Sequence, residues 1–487
     1  VSEPRFNLVD EPWIPVVGAG RVSLGEVFRN PDLAGLGGNP LQKIALTKLL
    51  LAVVQAAWTP ADEDEWKAAG RDGMATRTQE YLKAYRDDFW LYGPKPFLQI
   101  PAVAAGKLTP YGAVDPRVAT GNTTVHTQGQ TERSLDDADR AVLVVQLMGL
   151  GLGGKKTDNS VVLTPGYQGK TPTGKTGASL GFMGFLHTFP LGPTLQDSLY
   201  AQVVTRETLA GRADLPQGLG PVPWETPPSG EDCSVARALK ESLMGSLVPF
   251  SRFVLLEDDG LRYTEGLAYK GYKEGRIEPS MSVDRLGKEP KVIWVDAEKR
   301  PWRQLTALLS FLGDNSKARF ECAGLKMAIK RLGDLHWTNM SVWSGGLSVS
   351  SNSGEQFVSG ADDFVDSEVQ IESSSMRGDW YARLSVEMAA LEELADHVKK
   401  CTWQVHKAMK AEPDKVAAQA SNLFWHLAEG QFPALLVACK SQEAARNQRK
   451  DYVRLAHQAY NAFCPHDTAR QIEAWAAHRP NYAKYLG

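Results

Sequence analysis

The stretch Gly169-Lys170-Thr171-Pro172-Thr173-Gly174-Lys175-Thr176 satisfies the phosphate-loop spacing G-x-x-x-x-G-K-S/T. In such a loop, backbone N–H groups and a helix N-terminus cradle a nucleotide's phosphates. That geometry requires a buried strand before the loop and a helix starting at the Lys-Thr. Here Val161-Val162-Leu163 is a short apolar run cut off by Thr164-Pro165, and Gly177, Gly181 and Gly184 weaken any helix that follows. No hydrophobic strand ending in Asp is evident to hold magnesium. A nucleotide hydrolase using Gly174-Lys175-Thr176 is therefore the rival reading. The same segment reads better as a basic loop: Arg140 to Gln196 holds five basic residues and one acidic residue, with glycines at 149, 151, 153, 154, 166, 169, 174 and 177. Glycine lets main chain enter a narrow nucleic-acid groove, and Lys170 and Lys175 can sit against phosphates. A plain surface loop is the blander reading of this composition.

A second polar stretch, Gly345 to Gln356, reads as a hairpin whose tip carries glycine and short polar side chains. Amides on a rigid tip can intrude between strands and satisfy the bases they separate. Signals for catalysis are poor. The nine histidines form no H-x-x-x-H or H-E-x-x-H pair, and there is no G-x-S-x-G elbow and no dinucleotide fingerprint. The histidines read as surface or packing residues, and Asp136-Asp137 and Asp362-Asp363 as capping residues. No metal or other cofactor is implied.

These loops need a scaffold, and composition bounds it. The 487 residues, 43 % hydrophobic and 23 % charged, suit a folded protein of several domains. With Lys+Arg 54 against Asp+Glu 57, contact with nucleic acid must come from local basic patches. Five dispersed cysteines at 233, 322, 401, 439 and 464, with no Cys-x-x-Cys, argue for a reducing compartment. The apolar stretch near Leu49–Trp58 is too short to span a bilayer, and no signal peptide is visible; the expectation is a cytoplasmic protein with no membrane partner.

The reading is α+β: a large, irregular, mixed domain over 1–365 followed by a C-terminal four-helix bundle over 366–487. In the first part, helices are expected over Leu41–Trp58, as an apolar stripe, and Ser134–Met148, capped by Ser134. Asp258-Asp259-Gly260 should turn a hairpin between Phe253–Leu256 and Leu261–Thr264. Val292–Val295 is a strand, and Pro301 opens a helix. In the second part, glycine almost disappears, and helices are expected near 378–400, 414–429, 441–463 and 467–486. This part holds 15 basic and 15 acidic residues, so it suits protein partners better than a polyanion. Lys399, Lys400, Lys407 and Lys410 could form a local basic face.

Several stretches together resemble one family, the large subunit (CasA) of the type I-E CRISPR surveillance complex, Cascade. The opening Phe6-Asn7-Leu8-Val9-Asp10-Glu11-Pro12-Trp13-Ile14-Pro15-Val16 carries the most distinctive likeness, and Pro96-Phe97-Leu98-Gln99 a weaker one. Pro165 to Lys170, Leu261 to Thr264 and the Gly345-Gly346 hairpin follow in the family's order over essentially the whole chain. The resemblance implies a non-catalytic subunit that recognises the protospacer-adjacent motif (PAM) in double-stranded target DNA, starts strand separation and helps recruit the nuclease-helicase. RNA pairing would read the rest of the target.

It further implies which residues do this. A glycine loop, Gly166, Tyr167, Gln168, Gly169 and Lys170, and a lysine finger, Lys270 or Lys273, would read the minor groove. A wedge at Ser351 and Asn352, with Gln356 a further candidate, would enter below the motif; this hairpin is longer than the family's pattern and lacks its adjacent Asn-Gln. Thr124, Val125 and His126, within 123–133, occupy the place of the loop that contacts the guide RNA and neighbouring Cascade subunits. Some members carry clustered cysteines near the position of Cys233; a lone cysteine argues against zinc. A pure assembly subunit remains an alternative.

Overall fold

The computed structural model describes residues 3–115, 135–151, 158, 182–313, 320–348, 350–352, 355–357, 364–376 and 378–486. The chain mixes helices with small sheets, as an α+β reading requires, and divides into two compact units. The first comprises Val1–Pro301, Ser316–Trp337 and Ser341–Glu368. The second comprises Trp302–Asn315, Thr338–Met340 and Val369–Gly487, so it draws two short segments from before the long C-terminal run.

The first unit is built around the helix Pro40–Ala57. Asn39 caps it, its side chain accepting from Gln42 N at 3.1 Å while the Gln42 amide oxygen accepts from Asn39 N at 3.0 Å, and Pro40 fits the first turn. The pattern predicts a single apolar stripe. The helix is instead buried nearly all round, Lys48 and Gln55 included, against Glu63–Ala84 and Asp137–Leu150. The latter helix is capped by Asp136, which accepts from Asp139 N at 2.8 Å; Ser134, the cap expected from sequence, lies outside the described residues.

The hairpin expected around Asp258-Asp259-Gly260 forms from Arg252–Glu257 and Gly260–Glu265, with Glu257 opposite Gly260, and Leu108–Thr109 adds a third strand. Two motif stretches brace this scaffold. Gln99 is buried, donating to Leu91 O at 2.7 Å and accepting from Leu256 N at 2.8 Å. Asn7 and Trp13 are buried too, with Trp13 Nε1 donating to Leu8 O at 2.9 Å.

The predicted strand Val292–Val295 is regular only over Lys291–Val292 and continues as an isolated bridge of Trp294 to Phe185. Pro301 opens a 3-10 turn, Pro301–Gln304, which runs into the short helix Leu305–Leu308.

In the second unit, the long helices are Trp380–Ala408, Asp414–Glu429 and Gln442–Phe463, each packed against the other two. Ser441 caps the last of these as expected, accepting from Ala444 N at 3.1 Å. The first runs to Ala408 and not to about 400, because Cys401, Thr402 and Val405 continue its buried face. The expected helix over 467–486 splits into Ala469–Ala477 and Ala483–Leu486, with the break at Pro480, which lacks an N–H and disfavours helix in the residue before it. A further helix, Phe432–Ala438, fits between its longer neighbours, and Trp380 Nε1 donates to Leu436 O at 2.8 Å. Glu387 and Arg449 form a two-pronged ion pair at 2.8 Å across two of the long helices.

Candidate nucleic-acid interface

The lysine segment follows directly from the hairpin strand that ends at Glu265. Its N-terminal side is held by Gly266 N on Ser251 O at 3.1 Å and Leu267 N on Phe250 O at 2.8 Å, with Tyr269 buried. A Cβ on Gly266 would run into the Phe250 carbonyl, so only glycine permits this approach. After the turn Tyr272–Glu274, Gly275 takes a φ of +92° and reverses the chain into buried Arg276. Arg276 donates to Asp214 O at 2.8 Å, Ser242 O at 2.6 Å and Ser246 Oγ at 2.7 Å. Lys270 and Lys273 are thus displayed on an exposed bend whose two ends are fixed. Lys273 shares its charge with Glu289, Nζ to Oε2 3.3 Å; Lys270 has no ion pair among the described residues.

Two buried ion pairs bracket this bend. At its start, Arg252 Nη1 lies 3.0 Å from Glu265 Oε2, and its Nε donates to the Tyr263 hydroxyl at 3.2 Å. At its end, Glu278 Oε1 lies 3.3 Å from Lys48 Nζ, and Glu278 Oε2 lies 3.6 Å from His187 Nδ1 and accepts from the Ser280 hydroxyl. The His187 Nε2–H donates to Phe182 O at 3.0 Å, while Nδ1 meets Ser280 Oγ at 2.8 Å. Burial pushes the Glu278 carboxyl up, but Lys48, His187 and Ser280 overcome it and hold the group down at about 2. His187, read from sequence as a packing or surface residue, is therefore part of a buried charged cluster, reached from Lys48 on the central helix.

The same two clusters hold Gly151 and Phe182, which flank 152–181, and Asp158, the described residue within it. On one side, Gly151 packs so closely on Tyr263 and Arg252 that a Cβ would lie 2.7 Å from the Tyr263 hydroxyl, and Asp158 N donates to Tyr263 O at 2.8 Å. On the other, Phe182 is the carbonyl partner of His187. Gly166, Tyr167, Gln168, Gly169 and Lys170 lie outside the described residues, as do Gly174-Lys175-Thr176 of the phosphate-loop spacing and Thr124, Val125 and His126.

The third element comes in at the same place. Gly345 and Gly346 do not turn the hairpin; they sit inside the strand Asn339–Leu347, which pairs antiparallel with His187–Leu191. A Cβ on Gly346 would meet Val295 Cγ2 at 2.6 Å, Phe185 O at 2.8 Å and Met183 O at 2.9 Å, so these glycines are there for close packing. Leu347 N donates to Met183 O at 2.9 Å. Just beyond, Ser350–Asn352 pairs with Glu355–Phe357, with Ser351 opposite Gln356 and Asn352 opposite Glu355. The Phe185 ring also packs edge-on against Tyr272, at 5.6 Å, and Trp294, at 4.6 Å.

Met183 and Phe185 therefore join three segments: the end of the glycine-rich stretch, the lysine bend through Tyr272, and the base of the polar hairpin through Gly346 and Leu347. The sequence reading proposed all three segments but missed the hub. Its signal was the aromatic spacing Phe182, Phe185 and the Gly345-Gly346 pair. Among the described residues, no group of three or more His, Cys, Asp or Glu is arranged to hold a metal. Cys233 caps the helix Ser234–Lys240, its Sγ accepting from Ala236 N.

Comparison with known proteins follows the same line. The profile of the family CRISPR-associated protein Cse1 matches residues 7–463. A CasA/Cse1 protein of Thermus thermophilus is 29 % identical over 357 residues, 66 % of this chain; the match spans 64 % of that relative's length. In fold, the chain superposes on Thermobifida fusca Cse1 with TM-score 0.77 (20 % identity, covering 97 % and 93 % of the two chains). It matches T. thermophilus CasA with TM-score 0.74 (21 %, 99 % of both) and a chain of a CRISPR RNA-guided surveillance complex with TM-score 0.68 (18 %, 99 % and 100 %). With a family profile that matches residues 7–463, nearly the whole chain, this protein belongs to the CasA/Cse1 family.

Proposed function

We propose that this chain is the non-catalytic large subunit of a type I-E CRISPR RNA-guided surveillance complex, cytoplasmic, with the guide RNA and the other Cascade subunits as partners. In this reading it recognises the PAM in double-stranded DNA, starts strand separation and offers a docking surface to the nuclease-helicase. The observation that carries it is the convergence at Met183 and Phe185: a groove-reading backbone, a cation and a wedge have to act within a few base pairs of one another, and one hub serves all three segments.

Lys270 is the better lysine finger, since its ammonium has no ion pair among the described residues, whereas Lys273 shares Glu289. Gly166 to Lys170 would supply the groove-reading loop, Ser351, Asn352 and Gln356 the wedge, and Thr124, Val125 and His126 the guide-RNA contact. The minor groove separates A·T from G·C chiefly through the guanine amino group, so the subunit should accept several related motifs. The C-terminal helices, read as a four-helix bundle with balanced charge, suit protein partners.

The test is binding of the reconstituted complex to duplexes differing only in the flanking motif, with this chain present or omitted. Motif preference should require the chain, and Lys270→Ala should weaken preferred-motif binding by about tenfold, the worth of one good groove contact. Binding that ignores both motif and chain would overturn the reading.

A further inference from the structure

Of the 13 tryptophans in the chain, Trp294 is the most exposed, at 47 %, and it stands at the hub. Its backbone is locked on both sides, by Leu186 N on Ile293 O and Val295 N on Gly184 O, each at 2.9 Å. Its ring is propped edge-on by Phe185 at 4.6 Å and Phe182 at 6.3 Å, with interplanar angles of 67° and 71°. Trp294 is thus a rigid indole left nearly half in water, where an aromatic ring gains little from burial.

Its surroundings carry both signs of charge, with several exposed cations among them. Trp294 follows the strand Lys291–Val292, whose partner Val283–Asp284 leads into a connection with exposed Arg285 and Lys288. Glu289 of that connection is the partner of Lys273, so the lysine bend and this hairpin lie side by side. Of the acidic neighbours, Glu274 accepts from Gly271 N at 2.9 Å and Asp296 from Glu298 N at 2.9 Å. Arg285, Lys288 and Lys291 have no ion pair among the described residues.

We infer that Trp294 is a stacking platform for an unpaired base of the target DNA, with Lys273, Arg285, Lys288 and Lys291 facing the phosphates beside it. The inference rests on the DNA-reading role proposed above and adds a contact to it. Lysine is depleted from the cores of protein interfaces, whereas an aromatic face interleaved with cations is the ordinary platform for single strands. Bases inside a duplex are already stacked on one another, so the platform would act after opening begins, replacing a lost base–base stack with a base–indole stack.

The experiment uses the reconstituted complex carrying Trp294→Ala, Trp294→Leu or Trp294→Phe. Opening is read by permanganate reactivity of unpaired thymines, and first contact by motif-dependent binding to a duplex whose seed mismatch prevents opening. Trp294→Ala and Trp294→Leu should reduce opening by about tenfold, the scale of one aromatic–base stack, while Trp294→Phe stays near wild type and first contact is unchanged throughout. Photocrosslinking to 5-iodouracil placed in the DNA should succeed in the wild type and fail with the same label in the guide RNA. Unaltered opening in Trp294→Ala would overturn the inference. So would full rescue by Trp294→Leu or release of the chain from the complex, either marking a protein interface, or crosslinking only to guide RNA. A wild type that ignores the motif would overturn the functional reading itself; motif-dependent wild-type binding with an indifferent Trp294→Ala defeats only the platform.

Discussion

The hub around Met183 and Phe185 and the C-terminal helices are held together in different ways. The helices are stabilised by apolar faces repeated along each one, with a partly buried Arg449–Glu387 pair added between two of them. The hub is short on regular structure, and its order comes from close glycine contacts and buried charges: Arg252 with Glu265, and Lys48 with Glu278, beside which His187 packs. A repeated apolar face spreads its energy over many contacts, so one substitution is diluted. A buried charge cluster concentrates it, since removing one partner strands the other in a medium that cannot solvate it. The lysine bend gains from the second arrangement, because its two ends are fixed while Lys270 and Lys273 stay exposed.

The contrast is broken most sharply by Glu278→Gln, which leaves the Lys48 ammonium buried without an anion and should destabilise the first unit by about 3–5 kcal/mol in denaturant unfolding. The effect depends on pH. Glu278 is held down at about 2 in the folded chain, below the ordinary glutamate value of about 4.3, so its contribution is complete above that value and is lost as pH falls toward 2. Wild-type stability should therefore drop more steeply than that of Glu278→Gln between pH 5 and 2. Equal slopes would show that the cluster is not charged as described.

Gly346→Ala comes next. The added methyl must displace Val295 or the Met183–Phe185 backbone, at a cost of about 1–3 kcal/mol. Hydrogen exchange should rise at Leu347, whose N–H is bonded to Met183 O, while amides in the Trp380–Ala408 helix keep their protection. Loss of protection in both would deny that the hub is a separate source of order.

The smallest stability effect belongs to Lys270→Ala and Lys273→Ala. Both side chains are exposed, and the Lys273–Glu289 pair is a surface pair, so the unfolding free energy should change by no more than about 0.5 kcal/mol. A larger shift would mean that the bend needs its lysines for folding, and would weaken the case that they are displayed for a partner.

Local patterns were legible from residue order alone. The hairpin at Asp258-Asp259-Gly260, the central helix and the Ser441 cap depend on contacts a few residues apart, and each formed close to where the pattern put it. Boundaries slipped where a longer-range cause intervened: the first C-terminal helix ran past 400 because tertiary contacts bury Cys401 and Val405, and the last broke because Pro480 prevailed over periodicity. Glu63–Ala84 was not foreseen; its sequence is polar and carries two glycines, and Trp66, Met74, Tyr81 and Leu82 show an apolar face only once neighbours cover it.

Residue types and their spacing by themselves determined that the chain is α+β, that it has a few basic and polar segments on an otherwise balanced surface, and which family it resembles. Only the tertiary structure decided that Phe182, Phe185, Tyr272, Trp294 and Gly346 share one neighbourhood, that Gly345-Gly346 is a packing device inside a strand, and that Lys48, His187 and Glu278 meet. Those facts depend on residues far apart in the chain. No local propensity encodes such separations; they arise when the burial of the whole first unit brings the strands and loops together and requires each buried charge to be met by a partner.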